Sequence, residues 1–145
     1  MKSNRSTHAR AIARATFTLL TLGAVVAATV WADSNGTEVR LRTPLAGGAI
    51  SGRTPSGNAD FRSESDRNRT RLNVEVENVN LSDGTMLGVM VTHAGVSTSI
   101  GQIRLHGGFG ELELNSQDGD TVPAIVKGDM ITVSNAGTAI LTGVF

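Results

Sequence analysis

The stretch Arg69-Thr70-Arg71-Leu72-Asn73-Val74-Glu75-Val76-Glu77-Asn78-Val79 decides how this chain folds. Thr70, Leu72, Val74 and Val76 fall on one set of alternate positions, and Arg69, Arg71, Asn73, Glu75 and Glu77 on the other. A period of two, apolar on one side and charged on the other, is the pattern of an antiparallel strand with one buried and one wet face. Ser82-Asp83-Gly84 follows with the residue types that close a strand in a turn.

The same pattern extends in both directions. Upstream, Val39 and Leu41 alternate with Arg40 and Arg42 in a strand expected over Glu38 to Leu45. Gly47, Gly48, Gly52, Pro55 and Gly57 punctuate a turn-rich stretch, and Asn58 to Arg62 reads as a short strand. Downstream, Met86 to Thr92 is apolar on both faces, as a central strand would be, and Ala94-Gly95 turns it into a strand over Val96 to Leu105. The apolar parity there shifts from Val96 and Ile100 to Ile103 and Leu105, with Gly101 at the shift, which predicts a β-bulge. Glu111 to Asn115 alternates again, Val122 to Val126 reads as extended around Pro123, and Met130 to Ser134 and Thr138 to Phe145 complete the set. Asn135-Ala136-Gly137 reads as a three-residue hairpin loop between the last two. No stretch keeps the helical period. The expected fold is all-β: an antiparallel β-sandwich of Ig-like or Greek-key type, or a small barrel, with about seven to nine short strands.

The amino-terminal segment is built differently. Lys2, Arg5, Arg10 and Arg14 stand without any acid, and the apolar run ATFTLLTLGAVVAATVWA follows from Ala15 to Ala32. Val30 and Ala32 provide small side chains at the −3 and −1 positions of a cleavage site. These are the parts of a secretory signal peptide over residues 1–32, ahead of a polar leader over 33–36 and a single domain over 37–145. The alternative is an uncleaved anchor, for which the segment is short and rich in threonine. From Asp33 onward the chain holds nine basic and thirteen acidic residues, a net charge of −4. That balance argues against nucleic acid, whose phosphates call for clustered Lys and Arg, and against anionic lipid. The chain has no cysteine, so disulfides, thiolate-held zinc and thiol catalysis are excluded. The core must be made by packing alone.

Few residues offer chemistry. His93 and His106 are the only histidines after the signal segment, both at strand ends. With the loop acids Asp83, Asp118, Asp120 and Asp129 they could form a metal-binding or enzyme-like site, but a catalytic metal ordinarily needs three protein ligands. The pairs Glu75/Glu77 and Glu111/Glu113 each share a strand face, yet the domain has no Trp or Tyr with which to stack a sugar. A Gly-x-Ser-x-Gly elbow is absent. The final Phe145 raises a small outer-membrane β-barrel, against which the lack of aromatic girdles counts. No cofactor is expected.

The phrases Arg69–Val79, Asp83-Gly84-Thr85, Gly110-Glu111-Leu112-Glu113-Leu114 and Gly137-Thr138-Ala139-Ile140-Leu141-Thr142-Gly143-Val144-Phe145 resemble a group of small exported bacterial β-domain proteins with no assigned activity. The likeness covers most of residues 41–145 and implies no reaction. More distantly, the order of strands and glycines is similar to chordin-type (CHRD) domains and to the copper/zinc superoxide dismutase sandwich. Those metal sites need several histidines, including a His-x-His pair, which this chain lacks. The resemblance therefore implies architecture only.

The sequence thus points to a non-enzymatic exported module of the periplasm, cell envelope or extracellular space. Its expected partner is a protein or cell-envelope component, with no stable membrane insertion after cleavage. The candidate contact surface is the wet face carrying Arg67, Arg69, Arg71, Asn73, Glu75 and Glu77. Arginine suits such a face because its planar fork binds carboxylates bidentately.

Overall fold

The computed structural model describes residues 31–32 and 38–145. Nearly all of the expected signal peptide, and the polar leader, lie outside the described residues. The strands are β1 (Trp31–Ala32), β2 (Glu38–Ala46), β3 (Ser56–Glu64), β4 (Arg69–Glu77), β5 (Met86–His93), β6 (Val96–Arg104), β7 (Gly110–Asn115), β8 (Met130–Asn135) and β9 (Thr138–Val144). Two 3-10 turns, Ser65–Arg67 and Ser116–Asp118, are the helical elements among the described residues.

The fold is all-β, as the sequence predicts. Every pairing is antiparallel, and one sheet runs in the order β6-β5-β8-β9-β2-β3-β4-β7, with β1 added beside β2. The sheet curls until its two ends approach. Gly110 of β7 lies against the Arg104 carbonyl of β6, and Gly101 of β6 lies against Leu112 of β7. The result is a nearly closed barrel whose opposite walls face each other across one core, as the layers of a sandwich do. Non-sequential neighbours, β5 with β8, β9 with β2 and β4 with β7, give it Greek-key character.

Alternation fixes which side chains fill it. Leu41, Phe61, Leu72 and Leu114 stand side by side across β2, β3, β4 and β7, all buried. Val89, Val133 and Leu141 do the same across β5, β8 and β9. Val76 lies between Gly57 and Gly110 in register, and a Cβ at Gly57 would run into the Glu75 carbonyl oxygen. Glycine at Gly57 thus allows the close approach of β3 to β4. Phe145 is 2% exposed, and its N–H donates to the Asp129 carbonyl while its own carbonyl accepts from Gly128. The terminal aromatic is therefore a core residue of this barrel.

One detail of the sequence reading holds and two differ. The bulge at Gly101 is present, and its extra residue is Ile100: Val89 pairs with Gly101 and Met90 with Ser99. The last hairpin, however, closes with a two-residue turn. Asn135 pairs with Thr138, and Ala136 and Gly137 both take positive φ, 48° and 83°. A second bulge between Val133 and Ser134 absorbs the remaining residue and moves Ile140 to a half-buried position. Val122–Val126 forms no strand. Pro123 has no N–H to give a ladder, and the Val126 N–H donates instead to Asp129 Oδ2 at 2.9 Å.

Candidate functional site

Strand register brings the outward-facing residues of β2, β3, β4 and β7 into rows. Arg40, Arg62 and Arg71 stand opposite one another, and the next row is Arg42, Asp60, Asn73 and Glu113. The row after that is Pro44, Asn58, Glu75 and Glu111. The wet face is therefore basic toward one end and acidic toward the other, across four strands. A shallow depression of about 350 Å³ opens on it, lined by Arg40, Arg42, Asp60, Arg71, Asn73 and Glu113 among others.

Three arginines directly opposite one another repel, so the row persists only because acids on the diagonals hold it. Arg40 Nη2 donates to Asp60 Oδ2 at 2.7 Å. Arg62 Nη2 donates to Glu38 Oε2 at 2.8 Å, while its Nε lies 2.7 Å from Oε1 but poorly aligned, so one good hydrogen bond and charge hold the pair. Glu64, 3% exposed, collects Arg62 at 3.1 Å, Arg67 at 2.9 Å and Arg71 at 3.7 Å. The hydrogen bond to Asp60 and its charge raise the pKa of Arg40, and the hydrogen bond that Arg62 donates to Glu38 raises that of Arg62. Both stay charged in any ordinary buffer. Arg42 is less engaged: its Nε is 3.8 Å from Asp60 and its side chain is 60% exposed. Two buried acceptors in this region, Glu64 Oε2 and Asn73 Oδ1, have no hydrogen-bond partner among the described residues.

The residues expected to form the contact surface are distributed as follows. Arg69, Arg71, Asn73, Glu75 and Glu77 lie on the outer face of β4. Arg67 does not continue the alternation, because Asn68 adopts a left-handed conformation at φ 46° and ends the 3-10 turn that holds Arg67. Arg69 and Arg71 are half-buried, near Asn115 and Glu64 respectively. Arg40, Arg42, Asn58, Asp60, Arg62 and Glu113 join the face from neighbouring strands, and strand β4 read alone does not reveal them. Their own alternation, Arg40 and Arg42 in β2 and Asp60 and Arg62 in β3, was the available signal.

The two histidines lie at opposite ends of the β5–β6 hairpin, each beside its own acid. His93 Nδ1 is 2.7 Å from Oδ1 of the buried Asp129. His106 Nδ1 is 3.4 Å from Asp83 Oδ2, at the surface. Asp118 and Asp120 instead bind the Asn115 side-chain amide and backbone N–H. The hydroxyls of Thr92 and Ser97 bond each other at 2.8 Å, on the strand face away from His93. Among the described residues no group of three or more His, Asp or Glu side chains is placed to hold a metal ion. No helix among them is long and apolar enough to cross a membrane.

No family model, curated protein or solved structure matches the chain. The site must be read from its own geometry.

Proposed function

We propose that the protein is a non-enzymatic, exported interaction module. It binds a protein or cell-envelope component through the outer face of β2, β3, β4 and β7. One observation carries this reading: the depression on that face is lined by arginines toward one side and acids toward the other. A carboxylate of the partner would meet Arg42, and a cationic group would meet Glu75 or Glu113. Surface charges such as these steer encounter and set specificity.

The proposed location rests on the amino-terminal pattern of Lys2 to Ala32. Charged side chains on the outer wall of β2, β3, β4 and β7 support a water-facing barrel, since a membrane barrel presents an apolar band to lipid. The likeness to CHRD and superoxide dismutase sandwiches is kept as an architectural proposal only.

The test is the double change Arg42→Glu, Glu113→Arg. Both side chains are exposed, so the fold should survive. Retrieval of partners from envelope extracts should fall sharply, and the wild-type yield should decline as salt rises. Unchanged retrieval by a normally folded variant would remove this face as the binding site.

A further inference from the structure

At the end of the sheet β6 pairs only with β5, and among the described residues no strand pairs its other edge. The seam with β7 is closed near Gly101 to Arg104, where Gly110 and Leu112 lie against it. Beyond that point β6 diverges. Val96, Ser97, Thr98 and Ser99 are all exposed, so both faces of the strand meet solvent, and Val96 is 68% exposed. The turn Ala94–Gly95, with positive φ at both residues, makes His93 and Val96 the closing hydrogen-bonded pair. The N–H and C=O of Ser97 therefore point away from β5, into the open edge.

Open edges are normally protected by charge, proline or cover. From Val96 to Gln102 this one has no charged residue and no proline. Its sequence, Val96-Ser97-Thr98-Ser99-Ile100, has the same residue classes in both directions. Two such strands laid antiparallel about Thr98 place each residue opposite its own kind. Thr98 faces Thr98 of the second copy, Ser97 faces Ser99, and Val96 faces Ile100. Hydroxyl pairs and β-branched apolar pairs are favourable cross-strand neighbours, and no like charges meet. The uncharged character continues inward on the outer wall: Ser97, Thr92, Met130 and Val144 form one row across β6, β5, β8 and β9.

We infer that β6 pairs antiparallel with β6 of a second copy of this chain, about a two-fold axis at Thr98. The interface is isologous, as two-fold interfaces must be. A ladder of five residues is shorter than a permanent interface requires, so the dimer is reversible and grows with concentration. This interface is separate from the charged face proposed for the partner, and either may fail without the other.

The test uses the full chain in sedimentation experiments over a concentration series. Wild type should pass from monomer to dimer. Thr98→Lys and Thr98→Glu should each stay monomeric, because like charges then meet at the axis. An equal mixture of the two should dimerise again. Association through the apolar Ala15–Ala32 segment would be indifferent to all three. The chain has no cysteine, so Thr98→Cys gives a single thiol placed against its own copy. Mild oxidation should cross-link it faster than Thr138→Cys, an exposed control on another hairpin. Wild type that is monomeric throughout, dimers unaffected by Thr98→Lys, or equal cross-linking of the two cysteine variants would each overturn the inference.

Discussion

Glu64 Oε1 lies 2.9 Å from Arg67 Nη1, within a 3-10 turn that Glu64 precedes and Arg67 ends. The pair joins a buried carboxylate to a guanidinium that is largely in water. It also explains why Arg67 leaves the strand alternation. The turn folds Arg67 back over the end of β3, where Glu64 already meets Arg62 and, at longer range, Arg71. Glu64 is thus the acid around which three arginines from two strands and a turn are gathered.

The two partners should respond unequally to truncation. Glu64→Ala removes the shared acid and leaves Arg62 and Arg71 facing each other, at an expected cost of about 1–3 kcal/mol. Arg67→Ala removes one exposed partner while Arg62 still holds Glu64, so its cost should stay below about 1 kcal/mol. Urea denaturation midpoints measure both. Equal losses would show that Glu64 does not organise the row.

A second pair of substitutions tests the register of β4. Val74 is fully buried between Ala59 of β3 and Leu112 of β7, whereas its neighbour Glu75 is exposed. Val74→Asp places an unpaired carboxylate in the core and should remove several kcal/mol, most of the stability of a small domain. Glu75→Ala should change stability by less than about 0.5 kcal/mol. Similar losses at both positions would mean that the strand presents its faces the other way round.

Much of the fold is legible in the sequence, because alternation and turn chemistry are local. Leu72, Val74 and Val76 announce their buried face, and the parity shift at Gly101 announces its bulge. What local pattern does not contain is which strands become neighbours. Nothing in the chain near Glu113 says that it will stand beside Asn73, or that Arg40, Arg62 and Arg71 will share a row. The candidate surface was therefore readable as one strand and not as four. The two-residue turn at Ala136–Gly137 is not legible locally because the compensating bulge lies upstream, between Val133 and Ser134. Val122–Val126 looks extended in sequence for a similar reason: the group that takes the Val126 backbone hydrogen bond is the side chain of Asp129, beyond the Lys127-Gly128 turn.

The last prediction concerns the amino terminus. Export should be accompanied by cleavage between Ala32 and Asp33, because Val30 and Ala32 supply the small side chains that signal peptidase requires after an apolar run. Mass spectrometry of the exported protein should find Asp33 as its first residue. Such cleavage removes Trp31 and Ala32, which pair with Arg40 and Val39 at one end of β2. Among the described residues the buried core side chains lie between Leu41 and Phe145, downstream of the cleavage site. The barrel should therefore tolerate the loss: the processed chain should melt within about 4 °C of the unprocessed one, a difference of at most about 1 kcal/mol. The two measurements answer separate questions. A product that retains Trp31 removes the cleavage site, whereas correct cleavage with a much lower melting temperature would show that β1 is a working part of the barrel wall.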